Sequence, residues 1–220
     1  MKTGKRRGRR ASSPETQENR RQRIITAARE QFRRYGYEGV SMRKIASLIG
    51  YTAGAIYRYF PDKQSLLRHV WEDDFRWQSA YVKGAVDQAK SPLEKARQIF
   101  LAYLRYWDQH PDNFRVVFGG ASAEVDRQDA RQAVHQFDYA TEDYAAFRQL
   151  LGEVIKDAPH APRNLDLAMQ VLLTSAHGII AMKHSPSQFP WFDVEEMGRV
   201  AIDSILSGWG VTGEPGRRAN

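Results

Sequence analysis

Apolar residues first recur at helical spacing after Arg20, where Ile24, Ala27, Ala28, Phe32 and Tyr35 follow at three- and four-residue steps until Gly36. That period marks one face of an amphipathic helix, and a glycine commonly ends such a run because it accepts a positive φ. Ser41 precedes the short segment MRKIASLIG and Thr52 precedes AGAIYRYF. A hydroxyl just ahead of the first apolar positions can accept from the unpaired N–H groups of a first turn, so each is expected to cap a helix. Pro61-Asp62 opens a fourth helix through Leu66, Val70, Trp71 and Phe75 to about Gly84. Beyond Ser91-Pro92 runs LEKARQIFLAYLRYWDQH, broken by Pro111 and followed by the shorter DNFRVVFGG. Residues 126–155 form another periodic stretch, Pro159 and Pro162 mark a loop, and two apolar helices follow, LDLAMQVLLTSAHGIIAMKH and VEEMGRVAIDSILSGWG. No segment alternates with period two long enough to argue a strand. The expectation is an all-α chain of about nine helices.

Charge sharpens this division. Net charge is +12 over residues 1–68 and −5 over the remainder. A basic first third on an acidic remainder points to a polyanion as partner of the first part and a different task for the second. Residues 1–17, MKTGKRRGRRASSPETQ, hold almost nothing apolar to repay ordering, and are expected to form a disordered basic arm that adds counterion release on a nucleic acid, or else a solvated tail. The expected domains are this arm, a DNA-binding unit over 18–68, a helical unit over 69–210 and a flexible tail over 211–220.

Several classes fall away. The chain has no cysteine, which excludes disulfide scaffolds, zinc ribbons and thiol chemistry and fits a cytoplasmic setting. It has no run of apolar residues long enough to span a bilayer, so no membrane partner is expected. The arginine pairs at 6–7 and 9–10 lead into a polar stretch, not an export signal's apolar one. Ser41-Met42-Arg43-Lys44 fits an S-x-x-K nucleophile string but lacks its companion motifs. Gly208 to Gly213 fits a dinucleotide fingerprint with no preceding strand. The six histidines never take H-E-x-x-H spacing. No enzyme, cofactor or metal is expected.

Residues 41–60 carry the spacing of a helix-turn-helix. Two helices crossing steeply need a small residue at the contact, which Ala46 supplies, and a left-handed turn, which Gly50 allows; Ile45, Ile49 and Ile56 close the core. The second helix can then enter a major groove. Residues 20–67 further resemble the N-terminal domain of the TetR family of bacterial repressors, through the AA and F of the first helix, the G-Y-E-G turn, S-M-R-K-I-A, T-x-G-x-I-Y-x-Y-F and the lysine opening the fourth helix. Residues 91–210 resemble that family's helical C-terminal domains more weakly, through HPDNFR and His177-Gly178.

The resemblance implies an N-terminal three-helix DNA-binding domain joined by a long helix to a helical ligand-binding and dimerisation domain. It implies a homodimer that binds a palindromic operator in double-stranded DNA and releases it when a small-molecule effector enters the second domain. Position by position, it makes Arg43 a reader of base or phosphate, and Ala53, Gly54 and Ala55 the groove-facing start of the recognition helix. Ala53 departs from the Lys or Gln of many relatives, which leaves readout to thymine methyl contact, to Arg43 and Tyr57, or to DNA shape. Tyr57, Tyr59 and Lys63 match phosphate-contacting positions, and Ser41 and Thr52 can donate to phosphates while capping. For Tyr59, packing is an equal alternative.

From Leu93 onward the apolar residues are unusually aromatic. Phe100, Tyr103, Leu104 and Trp107 share one helical face, as do Tyr144 and Phe147; with Phe114, Phe118 and His177 they are read as core or as the lining of an apolar effector site. Arg105, Asn113 and Arg115 are further polar candidates. Small among large residues in the last two helices suit either a dimer interface or an internal bundle. Two functions remain open, a ligand-responsive dimeric repressor and a constitutive DNA-binding or architectural protein whose helical half only dimerises.

Overall fold

The computed structural model describes residues 16–86, 91–118, 138–185 and 189–212, all helices and connections among the described residues. α1 (Gln17–Tyr35) starts three residues before Arg20, because the Thr16 side chain accepts from the Asn19 N–H at 3.2 Å. Gly36 ends it at φ 67, sending its N–H to the Phe32 carbonyl at 2.9 Å. α2 (Met42–Leu48) and α3 (Ala53–Tyr57) are capped by Ser41 and Thr52, each accepting from the N–H three residues on at 3.2 Å. Gly50 takes φ 72 between them, a left-handed turn that a side chain would strain.

Ile24, Phe32, Ile45, Ala46, Ile56, Phe60, Leu66, Leu67 and Val70 bury together, and Ile49 packs at the margin. α4 (Lys63–Val86) opens where the Asp62 carboxylate accepts from the Ser65 N–H, and its first turns complete this core. Its far half packs against the helices that follow, so one helix runs from the helix-turn-helix core into the rest of the chain.

α5 (Pro92–Gln109) starts on a reciprocal capping box between Ser91 and Glu94 and forms the axis of the helical body, packing against α4, α7, α8 and α9. α6 (Pro111–Phe118) follows at once and turns back toward α1. α7 (Asp138–Ile155) covers the second half of the long stretch expected over 126–155; residues 126–137, positions 213–220 and residues 1–15 of the arm expected over 1–17 lie outside the described residues, while Thr16 and Gln17 of that arm are the cap and first residue of α1. α8 (Leu165–Lys183) and α9 (Val194–Gly208) are capped by Asn164 and Asp193. Where α9 crosses α5, a Cβ on Gly198 would lie 2.4 Å from Leu104 Cδ1, so a side chain there would force the fully buried Leu104 to shift. Val211 packs onto the body and donates to the Leu206 carbonyl, so order continues just past the expected boundary at 210.

Among the described residues α8 is one helix long and apolar enough, by length and composition, to cross a membrane. It nevertheless packs against α5, α7 and α9 through Ala168, Leu172, Ala176 and Ile180. These are residues that sequence offered to a dimer interface; here they face inward. α8 keeps Leu167, Leu173 and Met182 exposed, and α9 keeps Val200 exposed.

Candidate nucleic-acid interface and aromatic site

The capping bonds of Ser41 and Thr52 leave both hydroxyls exposed at the open ends of α2 and α3. Arg43, in the first turn of α2, is exposed and has no ion-pair or hydrogen-bond partner among the described residues; Arg58 at the end of α3 is alike. Gly54 is exposed and Ala53 and Ala55 are partly so, which gives α3 a low, methyl-lined start. Tyr57 is half exposed, whereas Tyr59 is partly buried against the domain core. Tyr59 and Arg58 also line a cleft of about 400 Å³ with Gln17, Glu18, Arg20 and Arg21, a basic flank beside the recognition helix.

Lys63 is more committed than its sequence position suggests. Its ammonium donates to the carbonyls of Tyr37 at 3.0 Å and Val40 at 3.2 Å and sits 3.9 Å from the Tyr37 ring. It therefore ties the α1–α2 turn to α4, with one N–H left for any anion. Two other cations support the motif without a signal in the sequence: Arg23 donates to the Ile49 carbonyl at 3.3 Å, and the Lys44 ammonium lies 3.6 Å from the Tyr35 ring. Long-range partners of this kind have no local spacing by which to be found.

In the body, Tyr103, Trp107, Phe114, Phe118 and His177 come together, joined by Phe75 of α4. The ring centroids of Trp107 and Phe118 are 5.3 Å apart, those of Phe114 and Phe118 4.9 Å, and those of Phe118 and His177 4.3 Å. The Tyr103 hydroxyl is 2.6 Å from His177 Nε2. Burial pushes the His177 pKa down to about 4, so the ring is neutral at pH 7 and shares one hydrogen bond with the Tyr103 hydroxyl. Phe100 is buried, and Leu104 packs under Gly198 toward α9. Phe147 is half-buried in the core, while Tyr144 is exposed and donates to Asp166 at 3.3 Å. Of the polar candidates only His177 joins the cluster; Arg105 pairs with Glu195 at 3.0 Å, and Arg115 pairs with Asp112.

Asn113 belongs to the joint between the two units. Its amide donates to the buried Asp74 carboxylate at 3.0 Å, and the Tyr106 hydroxyl donates to the Asp74 carbonyl. Arg29 of α1 lies 3.5 Å from the same carboxylate and 2.8 Å from Asp73. Desolvation raises the Asp74 pKa to about 7 against the pull of Arg29. Arg33 of α1 meets Asp112 of α6 at 3.0 Å, and Trp71 donates to the Val116 carbonyl at 3.1 Å. Beside these contacts a cleft of about 320 Å³ separates Phe32, Arg34 and Tyr37 from Arg115 and Val116.

Comparison with known proteins bears on the first unit most directly. The model of bacterial regulatory proteins of the tetR family matches residues 24–70. The HTH-type transcriptional repressor KstR of Rhodococcus jostii is 30% identical over 122 residues, 52% of this chain and 57% of the relative. The repressor KstR2 of Mycolicibacterium smegmatis is 29% identical over 90 residues, 41% of this chain and 44% of the relative. The chain thus spans about half the length of these curated relatives. Over nearly the whole chain the fold is similar to that of the TetR family regulator PfmR of Thermus thermophilus, with TM-score 0.60, 22% identity and coverage of 84% and 98%. It is similar also to the ketosteroid transcriptional regulator KstR2 of Mycobacterium tuberculosis, with TM-score 0.58, 19% identity and coverage of 91% and 98%.

Proposed function

We propose that the chain, whose residues 24–70 match the model of the tetR family of bacterial regulatory proteins, is a cytoplasmic transcriptional repressor whose helical body binds a small apolar effector. The observation that carries the DNA-binding part is the pair of exposed, unpartnered arginines, Arg43 and Arg58, flanking a recognition helix whose first turn is bare. Phosphate contacts come from Ser41, Thr52, Tyr57 and the remaining N–H of Lys63, and base reading from Arg43 and the methyl groups of Ala53 and Ala55. A symmetric operator requires two copies, and the exposed apolar residues Leu167, Leu173 and Met182 of α8 and Val200 of α9 support a homodimer through these helices.

The effector-responsive half of the proposal rests on the aromatic cluster and on α6. This short helix covers the cluster through Phe114 and Phe118, grips the DNA-binding unit through Asp112 on Arg33, and through Asn113 holds the Asp74 carboxylate that Arg29 of α1 also meets. A ligand that binds better when α6 is displaced loosens α1 and α4, and with them the spacing of the recognition helices. The relative that bears ketosteroid in its name supports an apolar effector.

Selection from random duplexes followed by mobility shift tests the reading. A consensus with inverted half-sites, bound by a dimer, is the expected result; a consensus without two-fold symmetry refutes the operator model. A screen of lipophilic compounds by melting and operator affinity tests the effector part, and a body that responds to none returns the protein to a constitutive DNA-binding role.

A further inference from the structure

Asp74 stands near the middle of α4, fully buried where α1, α5 and α6 meet it. A carboxylate in that position needs its charge answered and both oxygens bonded. Neither condition is met. Oδ1 accepts from the Asn113 amide of α6 at 3.0 Å, while Oδ2 has no hydrogen-bond partner among the described residues. Arg29 of α1 is the cation that faces the group, yet its Nε stands 3.5 Å from Oδ1 and makes no hydrogen bond. The rest of its guanidinium is committed elsewhere, to Asp73 at 2.8 Å and to the Trp77 ring at 4.6 Å. The other charged neighbours add no pairing. Arg33 of α1 turns to Asp112 of α6 at 3.0 Å, and Arg76 of α4 to Glu72 and Asp73. From α5 come the Tyr106 hydroxyl, on the Asp74 carbonyl at 3.2 Å, and His110, stacked on the Tyr106 ring. α7 meets α4 farther along, through Asp143 on Lys83. The site is thus shaped for a neutral carboxylic acid, and the joint it belongs to runs along the cleft of about 320 Å³ that separates Arg34 and Tyr37 from Arg115 and Val116.

We propose that Asp74 is a proton-operated latch between the DNA-binding unit and the helical body: carrying its proton it keeps α1 and α6 closed on α4, and losing that proton opens the joint and frees the angle of the recognition helix. The device is an input separate from any effector, and its effect on DNA, though not the latch itself, rests on the operator reading given above. Its sign follows from linkage. Burial raises the Asp74 pKa to about 7 in the closed joint, against the pull of Arg29. A joint parted enough to admit water returns the carboxyl to the ordinary range, so the closed form binds the proton more tightly and falling pH favours it. One proton released at about pH 7 makes opening about tenfold more favourable at pH 8 than at pH 6.

Hydrogen exchange of the full chain across pH 6 to pH 8, with each rate normalised to the intrinsic amide rate at that pH, tests the latch without DNA. Protection of α6 should fall about tenfold over this range, the linkage of one proton, while that of α8 stays level. Asp74→Asn, close in shape to the protonated acid, should keep α6 protected throughout. A parent protein without the step overturns the proposal, and so does a step that survives Asp74→Asn, which would belong to another group such as His110. Arg29→Gln gives an independent readout should the asparagine variant fail to fold. Removing the cation that favours ionisation should move the midpoint of the step to higher pH; a midpoint that stays or falls overturns the assignment. Control of DNA binding is read on the selected operator with its half-site spacing changed by one base pair. The parent should discriminate against the altered spacing about fivefold more strongly at pH 6 than at pH 8, and Asp74→Asn equally at both. If exchange shows the step while spacing preference ignores pH, the control of DNA binding is overturned. If no symmetric operator is found, it is the operator reading that falls, and exchange alone decides the latch.

Discussion

Arginine is used in opposite ways in the two units. Around α2 and α3, Arg43 and Arg58 stand exposed with no carboxylate partner among the described residues. In the helical body Arg97 closes on Asp203 at 2.7 Å, Arg105 on Glu195 at 3.0 Å and Arg148 on Asp166 at 2.7 Å, each strapping one helix to another. Such half-exposed pairs add little net stability, so their work in the body is mostly to fix helix register. The same residue type left unpaired on a cap-rich, shallow surface marks a place where another molecule supplies the anion. Net charge alone, +12 against −5, points the same way but cannot say which cations are free.

The sharpest way to separate the units is to damage one core and read both activities. Trp107→Ala removes a fully buried ring from the aromatic cluster and should cost about 3–5 kcal/mol of stability. Urea unfolding measures the loss. Under strongly native conditions, operator affinity without effector should stay near that of the parent, because Trp107 touches neither α2 nor α3. A proportionate loss of DNA affinity would mean that the body and the DNA-binding unit are one cooperative structure.

The joint between them is tested by pH. Asp74 is held at a pKa of about 7 against an ordinary 3.8, so the folded chain binds this proton more tightly than the unfolded one. Its contribution is therefore most favourable below about 4 and is lost as pH rises through about 7. His177 works the other way. Its folded pKa of about 4 lies below the usual 6.5, so its contribution is complete above 6.5 and is lost as pH falls through about 4. Between these values the two slopes oppose each other. Asp74→Asn should leave a profile that climbs with pH, and His177→Gln one that declines, each changing the span by on the order of 2 kcal/mol. Urea midpoints collected across this range check the signs, and variants that shift the profile in the same direction would refute the assignment.

Local chemistry explains what the sequence made legible. The caps at Ser41 and Thr52, the turn at Gly50 and the break at Pro111 act within a few residues of themselves, and each stands where spacing put it. The start of α1 was set three residues late because its first turn carries no apolar residue, only a capping threonine. Long-range relations were not legible. Asp74 lies in the run Glu72-Asp73-Asp74, which reads as a solvated face, yet α1, α5 and α6 converge to bury it. Ala168 and Ala176 suit a dimer interface or an internal bundle by composition, and both are buried within the chain. Gly198 belongs with these. Gly198→Ala should destabilise by about 1–3 kcal/mol through the clash with Leu104, and a neutral result in thermal melting would mean that α9 slides freely over α5.

The smallest effect on folding is expected where the comparison began. Arg43→Ala removes an exposed side chain with no partner in its own chain, so its melting temperature should match the parent's. Its operator affinity should fall by about 1–3 kcal/mol, and repeated site selection should return a consensus relaxed at one position per half-site. Lys63→Ala is the informative contrast. Because the ammonium ties the Tyr37 and Val40 carbonyls to α4, this variant should lose stability as well as affinity, and lose affinity for all sequences alike. If both variants weaken DNA binding without touching stability, the Lys63 contacts are incidental and its role is that of a phosphate ligand. If Arg43→Ala leaves the consensus unchanged, the unpaired arginine meets phosphate and not base, and specificity has to come from the methyl-lined start of α3 and from the shape of the DNA it enters.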